Sequence, residues 1–371
     1  MINLFRDEEP MDLGKARQLL DYLSRRSVSF EMPTVRAYRR MSEAERDLFN
    51  ERRLQFIANA IVSTSAITDF WKMVWDASID NYGKPWGRQG VLISGPSTSG
   101  KTSACVAVMT SMLRRVSRGF PEWRECGYLP ILYIRAPKYA TPRGLLLAIA
   151  AALGLEPGGR ASLEDLSVMV APVMADVRVR LVIVDEVHRM SADNVNSVTT
   201  ADLLKAITDE IPATFVFSGI GIESSGLLAG ALGQQLVGRN SRQIMRLFSD
   251  SGPFERQAWA DVVASVVANG CLFGESDVDA ARLYNRTKGS LGAVAHVLNT
   301  AAKRLIISGI RPEEEVLTDD LLEAISVPLG VEDDSPLPLD DPMVTAQPNP
   351  KQRTTRGRGH DSARSRSTRP S

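Results

Sequence analysis

The sequence predicts an α/β protein: a three-layer αβα sandwich around a parallel sheet, followed by a small helical unit and a disordered tail. Three observations predict it. The first is Gly95-Pro96-Ser97-Thr98-Ser99-Gly100-Lys101-Thr102, a G-x-x-x-x-G-K-T loop. It sits between the apolar run Val91-Leu92-Ile93-Ser94 and a stretch from Ser103 to Leu113 that holds no Gly or Pro. The second is Leu181-Val182-Ile183-Val184-Asp185-Glu186, a buried-type strand ending in two acids about 85 residues after Lys101. The third is the alternation of such runs with helical stretches, which gives a parallel sheet with helices on both faces.

The loop has the spacing of a phosphate loop (P-loop), so the chain reads as a P-loop NTPase. Gly95 and Gly100 let the backbone turn so that N–H groups point inward at phosphate oxygens. Pro96, Ser97, Thr98, Ser99 and Ser103 complete the cradle, and the helix starting at Lys101 adds its positive end. The Lys101 ammonium reaches the β- and γ-phosphates of ATP, and the Thr102 hydroxyl ligates Mg²⁺. Asp185 holds the same ion, directly or through water. Glu186 orients and activates the attacking water.

The remaining chemistry falls on the next two segments. Ala213 to Ile220 is a further strand, and its polar end, Ser218, is placed to touch the γ-phosphate or the water. Gly238 to Phe248 is basic. In ring-forming ATPases an Arg at this point reaches the neighbouring subunit's nucleotide as a trans arginine finger. Arg246, just before Leu247-Phe248, is the first candidate and Arg242 the second; a plain surface role is the alternative for both.

Composition sets the bounds. The 371 residues suffice for one large domain or two ordinary ones. Lys+Arg and Asp+Glu both number 44, so net charge points to no acidic partner. Cys105, Cys126 and Cys271 are scattered and odd in number, which suggests a reducing cytoplasm and argues against a thiolate metal site. No apolar run approaches the ~18 residues of a membrane helix, and the first residues lack the pattern of a signal peptide.

Ahead of the loop, residues 1–80 read as a helical extension. A short helix fits Leu13 to Arg25, and a basic cluster follows at Arg36, Arg39 and Arg40. Ser42-Glu43-Ala44-Glu45 is a capping box that starts a helix to about Val62. Another helix fits Ala66 to Ala77, with Phe70, Trp71, Val74 and Trp75 on one apolar face. In many P-loop ATPases the adenine lies against residues just upstream of the loop's strand, which makes Trp86 a candidate. Residues 81–252 then form the nucleotide-binding unit. In it, Arg114 to Gly127 reads as a poorly patterned connection and Leu129 to Arg135 as a strand. Helices follow at Gly144 to Leu153, from Ser162 onward, and at Thr199 to Ile211. From Pro253 the strands stop, and residues 253–328 read as a helical lid. Residues 329–371 are Pro-rich, first acidic and then Arg-rich, with few large apolar residues, and read as disordered.

These features in this order resemble the AAA+ ATPases. The segment Val182-Ile183-Val184-Asp185-Glu186-Val187-His188-Arg189-Met190 is similar to the V-D-E-x-H block of the TniB/TnsC branch, the Mu B-like regulators of DNA transposition. The helices ahead of the loop and the run from Leu129 to Gly154 are similar to that branch too. The resemblance implies ATP-dependent homo-oligomers, rings or filaments, on duplex DNA in the cytoplasm, at the nucleoid, and a transposase as partner. It implies a DNA-facing loop after the second strand, here Lys138, Tyr139 and Arg143. The lid of the family carries an Arg that contacts the γ-phosphate; here Gly289-Ser290-Leu291-Gly292-Ala293-Val294-Ala295-His296 offers His296 near that place. Two other classes share the motifs: a signalling ATPase switch, and a replication-initiator or helicase-loader ATPase.

Overall fold

The computed structural model describes residues 11–26, 30–137, 141–189, 208–209, 211–222, 238 and 240–328. Most of the expected helix Thr199–Ile211 and the whole tail from Leu329 lie outside them. The chain forms α1 (Ala16–Arg25), α2 (Val35–Arg40), α3 (Glu43–Asn59), α4 (Ser65–Asp80), β1 (Gly90–Ser94) and α5 (Lys101–Gly119). There follow β2 (Ile131–Arg135), α6 (Pro142–Leu153), α7 (Leu163–Asp176), β3 (Leu181–Asp185), β4 (Thr214–Gly219) and β5 (Asn240–Ile244). The helical end is α8 (Pro253–Asn269), α9 (Ala280–Thr287), α10 (Leu291–Ser308) and α11 (Asp319–Glu323).

The five strands are parallel in the order β2-β3-β4-β1-β5. Every residue of β1, β3 and β4 is buried, which is why they read as continuous apolar runs. The register places Ser94 opposite both Gly219 and Ile244, and Arg135 opposite Asp185. All C-terminal strand ends therefore face one way, and the phosphate loop leaves from an inner strand.

Two expectations are corrected. The basic stretch after β4 contains a strand, β5, which the sequence does not announce. Among the described residues Asn240-Ser241-Arg242-Gln243-Ile244 pairs only with β1 and is largely exposed, so it carries no apolar pattern. The stretch from Arg114 is no loose connection either: α5 runs on to Gly119. Arginine is a good helix former, and the Arg115 guanidinium lies 5.0 Å from the Trp71 ring centre and 4.0 Å from that of Trp75. On α4, Phe70 and Val74 are buried, while Trp71 and Trp75 stack at 6.0 Å on the outer side beneath that arginine.

The helices ahead of β1 are shared between two cores. Leu19, Leu20 and Leu23 of α1 and Ile67, Phe70 and Val74 of α4 pack with the sheet. Helix α3 opens with the expected Ser42–Glu45 capping box but packs on the lid, where Ile57 meets Ala302 and Ile306. Arg53, fully buried on α3, fixes that contact. It donates to Glu315 Oε2 at 2.5 Å, Glu315 Oε1 at 3.1 Å and the Cys271 carbonyl at 2.9 Å. The lid itself closes around Trp259, Val263, Val294 and Leu298, with Val62 from the α3–α4 connection among them. No helix of the described residues is long and apolar enough to cross a membrane.

Candidate nucleotide site

The site is built where β1 and β3 end, with β4 between them. The Met245 N–H donates to the Ser94 carbonyl at 2.7 Å, which brings the chain after β5 against the loop. A Cβ on Gly95 would lie 2.2 Å from the Met245 carbonyl oxygen, so only glycine fits there. Gly100 takes φ +94 as the N-cap of α5 and offers no side-chain cap. The first-turn N–H groups of α5 are therefore left open to an anion. Thr98 also lies at positive φ (60°), and the Ser99 hydroxyl closes the turn on the Pro96 carbonyl at 2.9 Å.

Lys101 folds over the loop, its Nζ 2.8 Å from the Gly95 carbonyl and 2.5 Å from that of Pro96. Burial lowers its pKa, and the charges of Asp185 and Glu186 oppose that shift. The charges of both acids, at the end of β3, thus reach the loop lysine. Thr102 and Ser103 are exposed on the first turn of α5.

Asp185 is 4% exposed. Its Oδ1 accepts the Glu186 N–H at 2.8 Å and its Oδ2 accepts the Tyr133 hydroxyl at 2.7 Å. Glu186 sits at φ 59°, a left-handed conformation that costs a non-glycine residue about 1–3 kcal/mol. The turn takes its carboxylate off the strand line to Arg189, whose NH2 lies 2.5 Å from Oε2. His188 Nδ1 accepts the Ile220 N–H at 3.2 Å, tying the turn after β3 to the end of β4.

The remaining expected residues are placed as follows. Ser218 is fully buried in β4, level with the end of β3, with its hydroxyl beside the Cys105 thiol. The nearby Cys105 thiol is buried, and that burial, with the charge of Asp185, pushes its pKa up. Arg242 and Arg246 are exposed, on β5 and just beyond it. Lys138 and Tyr139 lie outside the described residues. Arg143 is half-buried and donates to the carbonyls of Ala161 and Gly159, both at 3.1 Å. Trp86 does not meet the site: it is 74% exposed ahead of β1, at the opposite end of the sheet, roughly 17 Å of strand from the loop.

The lid supplies what the sequence left out. The Ser290 hydroxyl bonds the Thr98 hydroxyl at 2.7 Å, and the Gly292 N–H donates to the Thr98 carbonyl at 2.9 Å. His296 is exposed one turn beyond Gly292, on the same face of α10. Tyr133 was missed for a different reason. Its link to Asp185 crosses from β2 to β3, and only the pairing of those strands reveals it.

The donor set fits Mg·ATP. The glycine cradle and open helix end suit phosphates. Among the described residues no group of three or more His, Cys, Asp or Glu could hold a metal. A divalent ion would therefore take Thr102, Asp185 and phosphate oxygens, the sparse protein ligation that Mg²⁺ favours.

Residues 87–224 match a family model described as an AAA domain. No curated protein matches the sequence. Among solved structures the chain is similar to the Aeropyrum pernix ORC1 protein in complex with DNA, at 14% identity and a TM-score of 0.49, over 70% of this chain and 63% of that one. It is similar to Cdc6p from Pyrobaculum aerophilum, at 12% identity and 0.43, over 70% and 67%. It is also similar to the Thermotoga maritima RuvB Holliday junction branch migration motor, at 15% identity and 0.42, over 72% of each. The chain spans less than two thirds of the ORC1 protein, and none of these likenesses carries a function to it. The strand order, the phosphate loop on β1, the acid pair on β3 and the AAA-domain match together give the chain the AAA+ P-loop NTPase fold.

Proposed function

We propose that the protein is an ATP-hydrolysing regulator of DNA transposition of the TniB/TnsC type, which assembles on target DNA and recruits or stimulates a transposase. One observation carries the ATPase reading: the phosphate loop leaves β1 for an uncapped helix end, and Asp185 and Glu186 end β3, with β4 between the two strands. Mg·ATP, when bound, supplies the phosphoryl group and the neutralising ion. The loop N–H groups and Lys101 hold the phosphates, Thr102 and Asp185 hold the ion, and Glu186 accepts a proton from the attacking water. Arg246, or else Arg242, completes a neighbouring subunit's site.

The DNA reading is supported by the Val184-Asp185-Glu186-Val187-His188 block and by basic residues outside the site. Lys138, Tyr139 and Arg143, with Lys351, Arg353, Arg356 and Arg358 of the tail, supply contacts to phosphates rather than bases. Each such contact is weak and salt-sensitive. Repeated around a homo-oligomer they add through avidity, which couples DNA affinity to ATP.

The test is assembly on random-sequence duplex DNA, seen by electron microscopy and filter binding, with ATP analogue, with ADP and at raised salt. Rings or filaments form only with the ATP analogue and dissolve at raised salt. Lys101→Ala loses nucleotide binding, whereas Glu186→Gln keeps it and loses turnover. Tight DNA binding by the nucleotide-free monomer, or none in any nucleotide state, rejects the transposition reading in favour of a signalling switch.

A further inference from the structure

We propose that Tyr133 is a positioning residue for the divalent ion: its hydroxyl fixes the Asp185 carboxylate in the orientation that meets the metal. The inference rests on the Mg·ATP reading above and names a residue to which that reading gives no role.

The geometry is specific. Asp185 is held at both oxygens, Oδ1 by the Glu186 N–H at 2.8 Å and Oδ2 by Tyr133 at 2.7 Å. Two bonds from two directions fix the plane of a carboxylate, which otherwise turns about its last torsion. Each oxygen retains a further lone pair, so the bonds orient the group without using it up. Tyr133 is opposite Ile183 in the register, two residues short of the Arg135–Asp185 pair. Tyr133 and Asp185 therefore share a sheet face and meet diagonally, a span that an aromatic side chain covers.

A packing role alone does not account for the hydroxyl. Tyr133 is 7% exposed in an apolar layer where a phenylalanine would fill the same space. A buried hydroxyl is costly unless bonded, and Asp185 is the partner that makes it tolerable. Arg135 lies two residues on, exposed at the end of β2. Outer-shell partners of this kind are worth about 10–100-fold in metal affinity or activity.

The experiment measures binding of a fluorescent ATP analogue to the full chain, first in EDTA and then across a Mg²⁺ titration. Tyr133→Phe should leave the EDTA affinity within about twofold of wild type and raise the Mg²⁺ midpoint about 10–100-fold. In an Asp185→Asn background the same substitution should add nothing, because the tyrosine acts through that carboxylate. Tyr133→His, which returns an N–H donor on a smaller ring, should recover part of the Mg²⁺ response. It also serves as the readout should the Phe variant fail to fold. A wild-type Mg²⁺ midpoint in Tyr133→Phe overturns the proposal, as does an equal loss of affinity with and without Mg²⁺. Wild-type protein that binds no nucleotide in either condition overturns the Mg·ATP reading and the proposal with it.

Discussion

The hydroxyls of Ser290 and Thr98 lie 2.7 Å apart, so the first residue ahead of the lid helix α10 is bonded to the apex of the phosphate loop. Two glycines make this approach possible. A Cβ on Gly292 would come within 3.0 Å of the Thr98 carbonyl oxygen, and one on Gly289, at φ +72, within 2.0 Å of the Phe248 carbonyl oxygen. Gly292→Ala should cost about 1–3 kcal/mol by overpacking. Gly289→Ala should cost more, because about 1–2 kcal/mol of left-handed strain adds to a collision with backbone. Denaturant unfolding of the two variants checks the order, and nucleotide affinity should fall in the same order.

Arg246 is exposed just beyond the Met245–Ser94 backbone bond. A trans finger is dispensable for binding and needed for turnover. Arg246→Ala should bind ATP like wild type and lose roughly 1,000-fold in hydrolysis. Mixed with Lys101→Ala it should regain activity, since each variant supplies what the other lacks. Specific activity of the wild type that does not rise with protein concentration would sink the shared-site arrangement.

The Arg53–Glu315 pair is buried at both ends, at 0% and 5% side-chain exposure. Removing one partner leaves an uncompensated charge, so Arg53→Ala should destabilise by about 3–5 kcal/mol. Arg53→Met with Glu315→Leu should cost clearly less than either charge deletion alone. Chemical denaturation of the three variants and the wild type decides it.

The thiols divide by burial. Burial pushes Cys271 up to about 11 and raises Cys105 as well, so neither offers thiolate at neutral pH. Cys126 is exposed. Maleimide at pH 7 should label Cys126 alone in the native protein and all three cysteines in denaturant, read by peptide mass spectrometry.

Sequence legibility followed burial and local spacing. β1, β3 and β4 were visible because both faces of a central parallel strand are apolar. The loop and acid pair were visible because phosphate chemistry dictates their spacing, and the capping box at Ser42–Glu45 because both partners lie within one turn. β5 was invisible because three of its five residues are exposed and it carries no apolar run. Trp86 was misplaced because nearness in sequence to β1 put it at the wrong end of the strand. Tyr133, Ser290 and Arg53 act through partners 52, 192 and 262 residues away, and nothing local marks such contacts.

The 262-residue separation of Arg53 and Glu315 also sets a timetable for synthesis. At ordinary elongation rates the ribosome needs roughly 13–50 s to cover it. For that interval α3 has no lid to dock against, and its apolar side, with Leu54 and Ile57, must wait uncovered or be shielded by a chaperone. α1 and α4 find their partners much sooner, on β1 and α5. The nascent chain thus completes its sheet layers, with α1 and α4 on them, while α3 is still loose, and α3 locks down last. Premature termination between the end of β5 and the lid would leave a finished phosphate loop on a chain that still exposes a sticky helix, the form that quality control should remove first.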